Sequence, residues 1–466
     1  MATTAQAEPR RADEAIDVLG PDVDGGVRFS MSGRLLFSDL CHVPERAARI
    51  TARADGVGRM RGKLLPVALV ADPALARTIL TRPTGFRQGR GVEALAITFG
   101  QGLLTSSGEL HRRQRRLVQP AFHARRLVAY AQDAVRLAEA RAGEWRDGQP
   151  VDLADEMSSL TLEFVGRTLF GTDVRHEVAI VADATQNLLE AFPTLMSLRG
   201  MLLTRVPSPF RHRLRREIAR LDGVVERVIA TRGTTGDTGD VVSMLLAVRD
   251  EETGEGMPHQ QLRDEVLTLL LAGHETTAVA LSWAWYELWR TPEARVALDA
   301  ELAGRAAEDG LAAASWDGLP VTRAIVAETL RLHPPAYILG RRPTEDVVVD
   351  RYRFRRNSAV VISPFALHRD ERSWGPDAGR FRHTRWLRED GTFDEGAPGQ
   401  PRGAYLPFGA GSRMCIGAGF AVMEAVLLLA RLASEWRVEF SPGFEPTPRP
   451  AVTYRPGAMP AVLRAR

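Results

Sequence analysis

Residues 408–417 read Phe408-Gly-Ala-Gly-Ser-Arg-Met-Cys-Ile-Gly417, and Cys415 within them is one of only two cysteines in the 466-residue chain. The apolar run Ala418 to Ala433 follows at once and reads as a buried helix. A cysteine just ahead of a helix N-terminus feels the positive end of the macrodipole, which favours thiolate over thiol. Gly409, Gly411 and Gly417 let the backbone fold tightly round the sulfur and turn N–H groups toward it. Arg413 adds a fixed positive charge suited to a neighbouring anionic group. A thiolate in such a loop, shielded by Phe408, suits one axial ligand of a haem iron. A lone cysteine beside a core helix is otherwise usually a buried structural residue.

The pattern F-G-x-G-x-R-x-C-x-G resembles the haem-binding loop of the cytochrome P-450 monooxygenases, matched at all six fixed positions. The resemblance implies a mainly α fold with a small β-rich region, and haem b (protoporphyrin IX iron) as cofactor with Cys415 as its metal ligand. Phe408, Gly409, Arg413 and Gly417 take the cofactor-binding roles of the loop.

Composition agrees with a soluble globular class. The chain is 44% hydrophobic and 26% charged, with 61 basic against 58 acidic residues, so no nucleic-acid role is indicated. Two cysteines make neither a disulfide framework nor a multi-thiolate zinc site, which fits a reducing cytoplasm. Residues 1–26 are polar and broken by Pro9, Pro21 and Gly25; they read as a flexible tail without signal peptide or membrane anchor, leaving 27–466 as a single domain. The run Ile416–Ala433 approaches membrane-span length, but Glu424 and Arg431 interrupt it, so a core helix is expected. Lys63 is the only lysine among the basic residues, a skew typical of GC-rich bacterial coding.

Along the chain, Leu64–Val70 reads as a strand, followed by a helix with Asp72 as cap and Pro73 at its first position. Residues 82–102 read as a loop, punctuated by Pro83, Gly85, Gly89, Gly91 and Gly100. In the family this region covers the substrate, making Phe86 and Phe99 candidate lining residues. His111 and Arg115 are i and i+4 on one helix face, and the resemblance gives both a haem propionate. Arg112, Arg113 and Arg116 point elsewhere and read as a basic surface for an acidic electron donor. Residues 124–250 are largely helical by periodicity, with punctuation at Gly143, Gly148–Pro150, Gly166, Pro193 and Pro207–Pro209. The apolar stripe between the last two maps onto the family's lid.

A long helix from His259 to Arg290 contains Ala272-Gly-His-Glu-Thr-Thr277. Gly273 costs about 1 kcal/mol against alanine in mid-helix, and a small-residue pair lets a flat ligand lie against the helix. The hydroxyl of Thr276 can turn to a carbonyl one turn back. The family's oxygen-binding helix carries A-G-x-[D/E]-T here, so Ala272 contacts the haem, and Glu275 and Thr276 become the catalytic acid–alcohol pair. His274 falls at the free position and is read as structural.

Glu328-Thr-Leu-Arg331, stopped by Pro334-Pro335, is similar to the family's E-x-x-R helix, and Phe381-Arg-His-Thr-Arg385 to the loop supplying a second arginine. His383 stands where the family often has proline. Arg341 matches a third propionate-binding arginine, with Arg342 a neighbouring candidate. Leu271, Ala336, Tyr337 and Ile338 complete the expected substrate contacts.

The activity implied is insertion of one oxygen atom from O2 into an apolar small molecule, a terpenoid or polyketide-derived secondary metabolite. Electrons would come from a separate ferredoxin and ferredoxin reductase, since the chain ends a short way beyond Cys415. Other readings are an oxidative-coupling or peroxide-using haem–thiolate enzyme, or a catalytically silent haem-binding partner; the Glu275–Thr276 pair argues against peroxide use and silence.

Overall fold

The computed structural model describes residues 16–18, 44–53, 56–60, 67–171, 175–195, 198–232, 239–308, 313–396, 400–401 and 403–466. It is mainly helical with small sheets, and divides into two compact units.

The smaller unit comprises 1–92, 338–378 and 401–414. Its five-stranded sheet runs Val57–Met60, Val67–Val70, Ala359–Ile362, Leu339–Pro343, Phe86–Gln88, with only the Val67–Val70/Ala359–Ile362 pair parallel. Val67–Val70 is apolar at every position and wholly buried, as a strand covered on both faces should be. Asp72 then caps the helix Pro73–Thr81, accepting from the Leu75 N–H at 2.7 Å, as the sequence predicts. A second sheet aligns Ile16–Asp17 parallel to Tyr352–Phe354, which pairs in turn with Val347–Val349. Val18 is fully buried, so the tail reading fails at residues 16–18; the rest of 1–26 lies outside the described residues.

The larger unit holds 93–337, 379–400 and 415–466. Its axis is the helix His259–Arg290, packed along Leu153–Phe170. By length and composition this helix is apolar enough to cross a membrane, yet 83% of its apolar window is buried inside the protein. Gly273 shows why it can be so enclosed. A Cβ there would lie 3.2 Å from Val165 Cγ2, so the glycine serves the close crossing of two helices. Ala418–Glu435, the helix expected after Cys415, is buried beside Ala124–Glu144 and Pro320–Leu332.

Punctuation misled the sequence reading at three places. Residues 82–102 are not one loop: Phe86–Gln88 is a strand and Arg90–Phe99 a helix burying Leu95 and Phe99. Gly166 lies inside Leu153–Phe170, and the helix Arg175–Leu195 runs through Pro193. Tertiary burial outweighs the local cost of Gly91 and Gly166 in their helices.

Candidate active site

Within the helical unit, the His259–Arg290 helix is buried between its exposed ends except at one place. There Ala272 is exposed and Gly273 and Thr276 are half-buried. Ala272 and Thr276 are one turn apart, so they share this open face. The Thr276 hydroxyl donates to the Ala272 carbonyl at 2.7 Å, the back-bond expected, and one that holds the oxygen at a fixed place on the open face.

Glu275 points elsewhere. Its carboxylate is buried and takes the Nε and Nη2 of Arg455 at 2.5 and 2.6 Å, with the Thr453 hydroxyl at 2.6 Å. Arg455 is partly exposed and also donates to Gln186. The acid of the expected pair is therefore clasped by the Tyr454–Arg455 strand, which no local motif discloses. His274 is held between helices by Ser158 at 3.0 Å, and burial depresses it to about 4, so it is neutral and structural. Thr277 donates to Glu424 at 3.0 Å, and burial holds that carboxyl well above the usual carboxylate range. The lone acid in an apolar run was the available signal for it.

Cys415 lies just before Ala418–Glu435. Its side chain is open to solvent yet set amid dense protein, and that burial pushes the thiol above its ordinary value. The Gly417 N–H and the charge of Arg115 oppose the rise. In the free protein desolvation outweighs the Gly417 N–H and the Arg115 charge, and a coordinated metal is what deprotonates such a thiol. His111 is buried and Arg115 half-buried on one face of the helix Gly108–Val118, the latter close enough for its charge to be felt at Cys415. The basic surface, by contrast, is already neutralised. Arg112 pairs with Glu109, Arg113 with Asp250 and Glu255, and Arg116 with Asp250 and Glu252.

Glu328 and Arg331 are both fully buried and joined twice, Nε to Oε2 and Nη2 to Oε1, each at 2.7 Å. The backbone N–H of Arg382 and the indole of Trp386 also donate to this carboxylate, at 2.8 and 2.9 Å. Arg385 stands a little farther off at 3.4 Å, so Trp386 does directional work that the sequence reading gave to Arg385 alone. Phe99 and Leu271 are buried in this unit and Ala336 half-buried. Tyr337 is fully buried, with its hydroxyl on the Ala451 carbonyl at 2.8 Å; it is a packing residue, not a substrate contact.

In the sheet unit, Arg341 is buried on its strand while Arg342 is half-buried. Its Nη1 reaches only neutral oxygens, Gln88 Oε1 at 3.0 Å and Gly340 O at 2.9 Å, and burial lowers it to about 10. Phe408 and Gly409 are half-buried, as is Arg413. Gly411 has φ +72°, and a Cβ there would lie 2.4 Å from the Leu80 carbonyl oxygen, so the loop can be drawn against Pro73–Thr81 only with glycine. Phe86 is half-buried and packs edge-on against Phe354, ring centres 5.9 Å apart, at the margin of the sheet unit's core. Ile338 packs on a small cluster of Ala47, Val67, Leu69 and Val361.

The family model for cytochrome P450 matches residues 53–456. The chain belongs to the cytochrome P450 family. It is 40% identical to cyclooctatin synthase of Streptomyces melanosporofaciens, over 86% of this chain and 87% of that protein. It is 33% identical to the cyclooctat-9-en-7-ol 5-monooxygenase of the same organism, over 85% and 86%. With pentalenene oxygenase of Streptomyces avermitilis it shares 35% identity over 84% and 87%. Among solved structures, the crystal structure of the cytochrome P450DA heme domain superposes with TM-score 0.81 at 26% identity, covering 91% of this chain and 93% of that one.

This cytochrome P450 is a monooxygenase of a family whose cofactor is a haem with a thiolate ligand. The side chains of each unit fit that group: in the helical unit an accessible thiol receiving an N–H, and in the sheet unit a buried guanidinium whose partners among the described residues are neutral oxygens, as a ligand bearing carboxylates needs.

Proposed function

We propose that this cytochrome P450 inserts one oxygen atom from O2 into a terpenoid, using haem b held by Cys415. The relatives named above include a cyclooctat-9-en-7-ol 5-monooxygenase and a pentalenene oxygenase, and the observation that best supports the reading is the open stretch at Ala272 and Thr276 in the buried middle of its helix. Bound haem supplies oxygen activation, and the thiolate of Cys415 supplies electron density that favours O–O cleavage. His111 and Arg115 of the helical unit would offer charge-assisted hydrogen bonds to carboxylates of the group, and Arg341 of the sheet unit would do the same. The Thr276 hydroxyl, donating its only proton to the Ala272 carbonyl, offers a fixed acceptor at the open face. Glu275 stands one residue away with its charge balanced by Arg455, so a proton carried inward must first loosen that pair. Phe99, Leu271 and Ala336 leave the substrate with apolar contacts, so affinity comes mainly from buried area.

Electrons come in this reading from a ferredoxin and its reductase, in the cytoplasm, where Cys415 stays reduced. A binding screen with terpene hydrocarbons, hydroxylated terpenes, macrolactams and long-chain fatty acids, read by the haem spin state, tests the substrate class. Terpenoids should displace the water ligand at low concentration. Tight binding by fatty acids alone would overturn the assignment.

A further inference from the structure

Three of the six tyrosines and two of the eight tryptophans form one line of rings through the helical unit. Tyr337 lies 6.0 Å from Tyr454, ring centre to ring centre. Tyr454 stacks on Trp283 at 5.6 Å, Trp283 meets Tyr286 at 5.9 Å, and Tyr286 meets Trp289 at 6.0 Å. Trp283, Tyr286 and Trp289 follow one another at i, i+3 spacing on the His259–Arg290 helix, which keeps neighbours on one side of it.

Taken singly, each contact is ordinary aromatic packing. The line differs from a packed core in its two ends and its composition. The inner end reaches the candidate active site: Tyr454 stands between Thr453 and Arg455, which both bond the Glu275 carboxylate, and Tyr337 follows Ala336. The four inner rings are buried. The outer end, Trp289, is half-buried, and with Tyr286, Arg290, Phe444 and Glu445 it lines a surface cavity of about 330 Å³. Every link is a phenol or an indole, the side chains that give up one electron most readily among the aromatics. Phe440 and Phe444 pack beside the last two rings and do not interrupt the line. His333 lies flat on Trp283 at 3.9 Å and hydrogen-bonds Glu287 at 2.7 Å, so an imidazole and a carboxyl group stand where they can balance a positive charge on that indole.

We propose that the line Tyr337–Tyr454–Trp283–Tyr286–Trp289 conducts single electrons inward, from a soluble thiol at the outer cavity to peroxide-derived oxidising equivalents at a substrate-free active site. Electron tunnelling falls off steeply with distance, so short steps between oxidisable rings outrun one long step. In each step a ring that has lost an electron takes one from its outer neighbour, and Trp289 takes its own from the thiol. Two passages complete the chemistry. Two thiols lose two electrons and two protons and join as a disulfide, while two electrons and two protons turn one hydrogen peroxide into two waters. The proposal rests on haem held by Cys415 and is independent of the terpenoid reading.

The test uses the haem-loaded full chain without substrate, its thiolate-type Soret band verified first, so that failure here is distinct from failure of haem ligation. The protein is mixed with hydrogen peroxide, frozen for electron paramagnetic resonance, and digested for mass spectrometry of oxidised side chains. The wild type should show a tyrosine- or tryptophan-type radical and oxidation concentrated at Trp289. Glutathione should suppress both and slow bleaching of the haem band. Tyr286→Phe keeps the ring and removes only the hydroxyl, with its 3.4 Å bond to the Phe444 carbonyl, so the fold should be unchanged. It should lose the oxidation at Trp289 and the protection by glutathione, and Trp283→Phe, one step farther in, should do the same. Trp316, half-buried and outside the line, should be oxidised equally in all three proteins, which separates conduction from direct attack by peroxide in solution. Absence of an aromatic radical in the wild type, or oxidation of Trp289 retained by either variant, would overturn the proposal.

Discussion

Replacing Glu328 by glutamine keeps the shape of the side chain and removes its charge. In the native protein every acceptor direction of the carboxylate meets an N–H. Oε1 takes Arg331 Nη2 and the Arg382 N–H, and Oε2 takes Arg331 Nε and Trp386 Nε1. Whichever way the amide turned, its NH2 would face two donors. Arg331 would also lose its carboxylate partner while remaining fully buried. Solvent cannot screen that loss, so the cost should be about 3–5 kcal/mol, as for other broken buried pairs. Set against a typical total of about 5–15 kcal/mol, this leaves little margin. Denaturant unfolding of Glu328→Gln should show a markedly lower midpoint, and the purified protein should carry less haem. Glu109→Gln, which breaks the exposed pair with Arg112, should leave both unchanged. A cycle with Arg331→Met should find the double variant little worse than either single one. An unaltered midpoint and full haem content in Glu328→Gln would refute the reasoning.

Thr276→Ala should leave terpenoid binding near normal while diverting reducing equivalents to peroxide and water, measured as product per NAD(P)H consumed; wild-type coupling would remove Thr276 from oxygen handling. Burial pushes Glu265 up to about 7, whereas in the unfolded chain it titrates near about 4.3. Between those values the folded protein keeps a proton that the unfolded chain has released, so this group lowers stability as pH rises, by up to about 1.4 kcal/mol per pH unit. Glu265→Gln, which retains an acceptor for the Leu103 N–H, should flatten that fall in pH-dependent melts, and parallel profiles would count against it. Gly411→Ala adds left-handed strain of about 1–2 kcal/mol to a clash with the Leu80 carbonyl; haem retention in gel filtration should drop, and an alanine variant that holds haem as wild type does would contradict the close approach.

What the sequence discloses follows the range of each interaction. The cysteine loop, the Ala272–Thr277 segment and the Glu328–Arg331 helix are local patterns, and each lies on the element expected. The partners that complete them come from far along the chain: Arg455 reaches Glu275 across 180 residues, and Trp386 reaches Glu328 across 58. Nothing in their own neighbourhoods marks them. The same blindness made Arg113 and Arg116 look like a free basic patch, because Asp250, Glu252 and Glu255 are hidden until the fold brings them in. Glycine punctuation misplaced the helix Arg90–Phe99, where burial of Leu95 and Phe99 overrides the local signal. At Cys415 the dipole was legible, but the opposing desolvation was not.

Everything in this account depends on Cys415 as the thiolate ligand of the haem. The most direct measurement is the absorption spectrum of the reduced, CO-bound protein, taken for the wild type and for Cys415→Ser. The wild type should show the strongly red-shifted Soret band of thiolate ligation, and Cys415→Ser should lose both that band and turnover. A well-folded wild-type preparation with an imidazole-type band, or a serine variant that keeps the red-shifted one, would contradict it.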